Sequence, residues 1–397
     1  MRRLQIPVAL LALVLASLPV VARLQQDDPT PLIARIEAAQ TPDRGGYDRL
    51  ALRDLMAELA VPGVSIAVIK DFRVHWAKAY GVADVSTGAP VDTDTIFQVA
   101  SISKPVAAMG VLRAVQDGRF SLDGDVNTIL KSWKVPASEL TVKQPVTPRA
   151  LLSHTSGADD GFGFPGYAPS APLPTVPQIL NGQKPSNVGP VRFARPPYAG
   201  YKYSGGAVTI MQLAMTDVYG RPYPELLQEL VLRPIGMTRS GYDQPLTPER
   251  DKNAARAHNM AGRAMPDGKW HVYPELAAAG LWTTPTDLAR FAIEIQLSLH
   301  GKSNKVLSSE MVRQMVSPVG VGPFGVGLTV AKAGEGWYFS HGGGNWGFRA
   351  DLTAHVVKGY GVAIMTNGDR GSALIEELKT RVAAAYNWDT LARPIPR

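Results

Sequence analysis

The segment Ser101-Ile102-Ser103-Lys104 places a hydroxyl group and an amine three residues apart. Residues i and i+3 of a helix lie on the same face, so the Lys104 amine can reach the Ser101 oxygen. A helix start also presents backbone N–H groups and the positive end of the helix dipole, both of which stabilise a developing oxyanion. The spacing therefore predicts that Ser101 is a nucleophile and that Lys104 is its proton partner.

The flanking residues predict the elements that hold this pair. Residues 96–100 are apolar and partly β-branched, which is typical of a strand, and residues 105–115 form an apolar run typical of a buried helix. A strand, a turn and a helix would hold the nucleophile rigidly. Because an S-x-x-K segment also arises by chance about once in a few hundred residues, the rest of the chain must supply partners for it.

The composition is that of an ordinary globular protein. The chain has 397 residues, 45% of them hydrophobic, which suffices for one large domain or two interleaved ones. Cysteine is absent, which excludes disulfides, thiolate metal sites and cysteine catalysis. The net charge is +7, without a basic block interleaved with aromatic residues, so we expect no nucleic-acid partner.

The first residues are typical of a secretory signal peptide. Basic residues at 2 and 3 precede an apolar run at 8–18, and residues 20–22 have the small side chains that a signal peptidase reads. The run is too short to span a bilayer, and no second apolar segment of spanning length follows. We predict a signal peptide over residues 1–22, no stable membrane anchor after its removal, and an exported protein that is periplasmic or secreted.

Strands are predicted towards both ends of the chain. Residues 64–69 and 74–80 form a predicted β-hairpin with a four-residue connection. Further strand candidates, separated by short turns as in an antiparallel meander, lie at residues 325–330, 337–340, 348–356 and 360–365. A last helix with an apolar stripe at Leu374, Ile375, Leu378 and Val382 would cover one face of the sheet.

These patterns predict an α/β (α+β) fold, in which an antiparallel sheet is built from the N- and C-terminal parts and flanked by helices. After an N-terminal segment at 23–47, we expect one domain at 48–390, with sheet parts at about 48–100 and 265–390. A mostly helical insertion would cover about 101–264, and the site would lie at the seam. Within it, residues 156–200 are rich in Pro and Gly with scattered aromatic residues, which favours a partly ordered lid.

Two further motifs follow the first in order, Tyr203-Ser204-Gly205 and His341-Gly342-Gly343. Together the three resemble the signature of the serine β-lactamase and penicillin-binding DD-peptidase superfamily, which reads S-x-x-K, Y-x-N, then K-T-G or H-x-G. The chain is most similar to the class C β-lactamase-like branch, which includes carboxylesterases and D-aminopeptidases. Segments 151–157, 232–237 and 277–291 resemble the same branch, so the likeness covers about residues 48–387.

The resemblance implies an acyl-enzyme route. Ser101 would attack a carbonyl carbon, Lys104 and Tyr203 would move the proton with either of them as the base, and water would release the acyl group. A solvated amine is protonated and is a poor base, so we expect Lys104 to be desolvated or beside another cation. His341 would contribute to this field or donate a hydrogen bond.

The resemblance also implies how the substrate is held. The backbone N–H groups of Ser101 and Gly344 would form the oxyanion hole. Gly205, Gly342, Gly343 and Trp346 are candidate substrate-binding residues, with core packing an equal alternative for Trp346. His154 is interpreted as fixing a turn by hydrogen bonding. The histidines lack zinc-site spacing, so we expect neither a metal nor another cofactor.

Two departures from the signature bear on the substrate. Gly205 stands where the family usually has Asn, and His341 stands where β-lactamases usually have Lys, so an amide and a permanent positive charge are lost. Both argue against efficient β-lactam hydrolysis. The sequence thus predicts a hydrolase of small esters, amides or peptides, with β-lactamase or DD-peptidase activity, or an acylating binding module without turnover, as the alternatives.

Overall fold

Strands from both ends of the chain meet in one sheet. The computed structural model describes residues 27–388, except 44, 161, 162, 267, 268 and 335. The strands are β1 (Gly63–Lys70), β2 (Arg73–Asp84), β3 (Ala89–Pro90), β4 (Phe97–Gln98), β5 (Trp282–Thr283), β6 (Thr329–Ala333), β7 (Gly336–Asn345), β8 (Phe348–His355) and β9 (Gly361–Thr366). The order β3-β2-β1-β9-β8-β7-β6 joins N-terminal β1 to C-terminal β9 in antiparallel pairing, which confirms the predicted fold class.

Helices cover both faces of this sheet and fill the middle of the chain. They are α1 (Thr30–Glu37), α2 (Leu52–Glu58), α3 (Ser103–Gln116), α4 (Glu139–Lys143), α5 (Pro148–Leu152), α6 (Val176–Asn181), α7 (Gly205–Tyr219), α8 (Tyr223–Leu227), α9 (Pro248–Asp251), α10 (Leu276–Ala279), α11 (Pro285–Leu299), α12 (Ser309–Val316) and α13 (Gly371–Tyr386).

Alternation along β1 divides the core into two layers. Val64, Ile66 and Val68 pack on one face with the apolar stripe of α13 and with helices α1 and α2. Ala67 and Ile69 point to the other face, where they join the apolar side chains of α3, α7 and α11. In the second layer, the helices from the middle of the chain therefore pack against the sheet, and the start of α3 lies at the boundary between them.

Two sequence-based expectations need correction. Lys70 pairs with Arg73, so the β1–β2 connection is two residues long rather than four. Asp71 and Phe72 have φ angles of 52° and 60°, as a tight type I′ turn requires. The strand predicted over 325–330 begins only at Thr329, because the chain first turns at Gly327 (φ 89°) against α3.

The predicted signal peptide at residues 1–22 lies outside the described residues. Within the described part of the chain, every helix is too short or too polar to cross a lipid bilayer.

Candidate active site

Ser101 lies in a tight turn at the start of α3. Strand β4 pairs with β5, and a single 3₁₀ turn over Ala100–Ile102 then leads into the helix. Ala100 has a φ angle of 48°, a left-handed conformation that is strained for a residue with a side chain. Ser101 is partly exposed, whereas residues 102–112 are buried. The turn therefore presents the Ser101 hydroxyl at the protein surface while the chain around it is fixed.

Lys104 is a buried amine in direct contact with the nucleophile. The residue is 1% exposed, and its Nζ donates hydrogen bonds to Ser101 Oγ at 3.0 Å and to the Ala278 carbonyl oxygen of α10 at 2.8 Å. The amine is thus shielded from solvent, as expected for a lysine that exchanges a proton with the nucleophile. A proton can pass between Oγ and Nζ in this geometry without rearrangement of either group.

Ser103 supports the nucleophile turn, a role that the sequence did not indicate. Its hydroxyl donates to the Ala100 carbonyl oxygen at 2.5 Å and accepts the Leu281 N–H at 2.9 Å. The Tyr242 hydroxyl donates to the Ser103 carbonyl oxygen at 3.1 Å. These bonds tie the strained turn to Leu281, just after α10, and to Tyr242. Serine is common in turns, so its presence inside the motif gave no signal of this role.

Tyr203 brings the second motif to the same place. It lies just before Ser204, the N-cap of α7, whose hydroxyl accepts the Ala207 N–H at 2.8 Å. Lys104 Nζ lies 5.0 Å from the centre of the Tyr203 ring, and the ring centres of Tyr203 and His341 are 6.1 Å apart. Residues of all three motifs therefore surround the Ser101 hydroxyl.

Strand β7 carries the third motif along an open edge. Its pairing with β6 ends at Ser340, whereas its pairing with β8 continues to Asn345, so residues 341–344 face the nucleophile turn. Gly343 permits this close approach, because a Cβ atom there would lie 2.1 Å from the Val99 carbonyl oxygen. Asn345 fixes the end of the strand by donating to Gln98 Oε1 at 3.0 Å.

His341 is buried and neutral. Burial and, after it, the nearby Lys104 ammonium lower the pKa of His341 to about 3. Its Nδ1 lies 2.7 Å from the Gly342 carbonyl oxygen and therefore donates the proton there, which leaves Nε2 as an acceptor. Nε2 has no hydrogen-bond partner within the described residues. At pH 7 the side chain thus offers no positive charge to a substrate carboxylate.

These groups border one cleft of about 340 Å³. Its lining consists of Ser101, Gly163, Tyr203, Phe324, Thr329, His341, Gly342 and Gly344. Lys104 and Gly343 are not part of this lining. Lys104 contacts the cleft only through its hydrogen bond to Ser101, and Gly343 packs against Val99. The sequence patterns gave no indication of Gly163, Phe324 or Thr329, which come from loop and strand-end positions without a motif.

Gly205 and Trp346, both predicted to bind substrate, do not contribute to this lining. A Cβ atom at Gly205 would lie 2.7 Å from the ring of Phe164, so Phe164 of the predicted lid fills the space that a side chain would need. Trp346 stacks on His271, with the ring centres 3.8 Å apart and the planes at 9°. The sequence gave no sign of the Phe164 contact, because it joins distant parts of the chain.

A larger and mainly apolar cleft of about 730 Å³ lies between α2 and β2. Its polar groups include Glu37, which accepts hydrogen bonds from Tyr80 and Lys78. The Ser101 cleft is smaller, but it contains the hydroxyl–amine pair, so we regard it as the candidate active site.

Comparison with known proteins agrees with this arrangement. Residues 49–387 match the family model described as Beta-lactamase, so the chain belongs to the beta-lactamase family. This membership agrees with the resemblance of the three motifs to the serine β-lactamase and penicillin-binding protein superfamily.

Three relatives illustrate the range of that family. Protein flp of Staphylococcus aureus (strain N315) is 23% identical over 359 residues, which cover 84% of this chain and 65% of flp. Esterase EstB of Burkholderia gladioli is 28% identical over 223 residues, 54% of this chain and 53% of EstB. The chain thus spans less than two thirds of the length of either curated relative. The structure of D-amino acid amidase from Ochrobactrum anthropi SV3, complexed with L-phenylalanine amide, has the same fold (TM-score 0.67, 23% identity, 90% of this chain and 99% of that one).

Proposed function

We propose that the protein is an exported serine hydrolase that forms an acyl-enzyme on Ser101 and cleaves small esters, amides or peptides. The hydrogen bond of 3.0 Å between Lys104 Nζ and Ser101 Oγ, at the base of an open cleft, is the observation that carries this proposal. The cleft volume of about 340 Å³ favours a small substrate, since ligand sites range from about 300 to 1,000 Å³.

The geometry supports a two-step reaction. Lys104 or Tyr203 accepts the Ser101 proton as Oγ attacks the carbonyl carbon, and the backbone N–H groups of Ser101 and Gly344 stabilise the oxyanion. The bond to the leaving group then breaks, and the leaving oxygen or nitrogen receives the proton. Water attacks the resulting ester in the second step, with Lys104 and Tyr203 as the groups beside it that can accept its proton.

Esters and amides without a carboxylate fit the site better than β-lactams. The buried His341 is neutral because its pKa is lowered to about 3, so it does not offer the ion pair that a β-lactam carboxylate requires. Relatives named as an esterase and as a D-amino acid amidase support the same substrate classes. Export is supported by the N-terminal sequence alone, and a mature protein that begins after Ala22 on N-terminal sequencing would test it.

A substrate panel tests the proposal. Purified protein and its Ser101→Ala variant are assayed with p-nitrophenyl acetate and butyrate, D-amino acid amides and nitrocefin. We expect steady-state turnover of an ester or an amide that Ser101→Ala abolishes. Nitrocefin hydrolysis above the ester rate would instead indicate β-lactamase activity, and one stoichiometric burst without turnover would indicate an acylating binding module.

A further inference from the structure

His154 holds the backbone on both sides of Tyr203. The Lys202 N–H donates to the His154 carbonyl oxygen at 2.9 Å, and the Ser204 N–H donates to His154 Nδ1 at 3.2 Å. Tyr203 lies between these two donors. The contact joins positions that are 50 residues apart, so it fixes the start of α7 relative to the loop after α5.

The His154 ring also packs against the Tyr203 ring. Their centres are 4.3 Å apart with the planes at 33°. The Phe324 ring contacts both of them edge-on, with its centre 4.7 Å from that of His154 and 6.0 Å from that of Tyr203. His154 is 1% exposed, and its φ angle of 60° is one that Asn and His adopt more readily than most residues. Backbone and ring contacts together leave Tyr203 little freedom to move.

This arrangement requires a neutral imidazole. Nδ1 must keep its lone pair to accept the Ser204 N–H, so the proton resides on Nε2. Burial and, after it, the nearby Lys104 hold the pKa of His154 well below its usual range, in agreement with this tautomer. Nε2 has no hydrogen-bond partner in the described part of the chain. The polar contact that His154 makes here is therefore directed at the backbone of the tyrosine motif.

We propose that His154 is a positioning residue for Tyr203, keeping its ring beside the Ser101 and Lys104 pair through the turnover cycle. The proposal rests on the proposed function, in which Tyr203 takes part in proton transfer. It extends the sequence-based interpretation that His154 fixes a turn, because the turn being fixed is the one that carries Tyr203. His154 is not among the groups that line the cleft, so it acts through Tyr203 and not on the substrate.

Two variants separate the backbone contact from the ring contact. His154→Phe keeps an aromatic ring and loses the acceptor for the Ser204 N–H. His154→Asn keeps a side-chain acceptor and tolerates the left-handed backbone. His300→Phe is the matched control, since His300 packs edge-on against Phe72 at 5.2 Å, remote from the cleft. All are assayed by kcat and KM with p-nitrophenyl butyrate, with thermal unfolding measured in parallel.

We expect His154→Phe to lower kcat between about tenfold and a hundredfold with KM nearly unchanged, because small misplacements of a reacting group have effects of this size. His154→Asn should restore most of kcat, and His300→Phe should match the parent protein. A double-mutant cycle supplies the decisive comparison. In the Tyr203→Phe background, His154→Phe should reduce kcat by less than about twofold, because the hydroxyl that it positions is gone.

Full additivity of the His154 and Tyr203 effects would overturn the proposal, as would an unchanged kcat in His154→Phe. A loss that thermal unfolding fully explains, without rescue by Asn, would also count against it. These results differ from a failure of the proposed function, in which Ser101→Ala and Tyr203→Phe would themselves leave ester hydrolysis intact.

Discussion

The candidate active-site cleft has two sides that are built differently. On the side that we propose performs the chemistry, Ser101 and Lys104 come from one turn of the chain, and Lys104 is buried against its neighbours. On the side that we propose faces the substrate, Gly163, Phe324 and His341 come from three separate segments, and Phe164 fills the space beside Gly205. We call these the chemical side and the selecting side.

The comparison shows which distances in the site are determined by neighbouring residues in the sequence and which depend on contacts between distant residues. On the chemical side the groups follow the family signature, and their distance is set by helix geometry. On the selecting side the signature changes at two positions, and contacts between distant residues replace it. The chemistry can thus be retained in this fold while the bond that is cleaved differs.

The largest expected effect is on the chemical side. Ser101→Ala and Lys104→Met should each lower kcat/KM for p-nitrophenyl butyrate on the order of a thousandfold or more, because they remove the nucleophile and its proton partner. Lys252→Met is the control, since Lys252 forms an exposed ion pair with Glu249 away from the cleft. A Lys104→Met variant that retained a tenth of the activity would contradict the assigned roles.

Gly343 lies where β7 packs against the nucleophile turn, and a methyl group there should push the strand and the turn apart. In Gly343→Ala the added Cβ would meet the Val99 carbonyl oxygen at 2.1 Å, so β7 must move away from the nucleophile turn. We expect about a hundredfold loss of kcat/KM, from displacement of the Gly344 N–H relative to Ser101. Gly342→Ala is the comparison, because its nearest neighbour would be the Ala350 carbonyl oxygen at 3.9 Å. Equal losses in the two variants would show that close packing of β7 is not the cause.

Glu275, which directly precedes α10, should make the free energy of unfolding of the protein depend on pH. Its buried carboxylate oxygens lack hydrogen-bond partners among the residues described, and burial raises its pKa to about 7 from the ordinary 4.5. The folded protein then binds more protons than the unfolded chain between about pH 4.5 and 7, so this contribution to stability is lost as the pH rises through that window. Glu275→Gln should raise the free energy of unfolding at pH 8 by up to about 3 kcal/mol and leave it unchanged near pH 4.5.

Urea denaturation of the parent protein and Glu275→Gln at both pH values measures this effect. Glu249→Gln serves as the control, because Glu249 is exposed on α9. A stability difference that is the same at pH 4.5 and pH 8 would contradict the role of the buried carboxyl group.

The smallest effect is expected on the selecting side, at His341. Since its pKa is lowered to about 3, the imidazole gains a proton only well below pH 5. The pH profile of kcat/KM for an uncharged ester between pH 5 and 8 should therefore have the same acid limb in the parent protein and in His341→Asn. A limb near pH 6.5 that disappears in His341→Asn would mean that a charged imidazole is present in the free enzyme.

The same division explains how much of the molecule the sequence could predict. Apolar periodicity predicted the sheet and its covering helices, because each strand and helix buries one face. The motif order named Ser101, Lys104, Tyr203 and His341, which the structure brings together. Phe324 and Phe164 could not be found in this way, since their positions depend on the path of long loops. The β1–β2 turn was predicted too long because Asp71-Phe72 lacks the glycine that usually marks a type I′ turn.

The central claim is that hydrolysis passes through an ester on Ser101, and trapping that ester tests it most directly. The protein is mixed with p-nitrophenyl butyrate, quenched in acid within milliseconds to seconds, and analysed by intact and peptide mass spectrometry. We predict a butyryl adduct on the peptide that contains Ser101, formed with the p-nitrophenol burst and absent from Ser101→Ala. Turnover of the ester without any adduct, together with undiminished turnover by Ser101→Ala, would contradict the account.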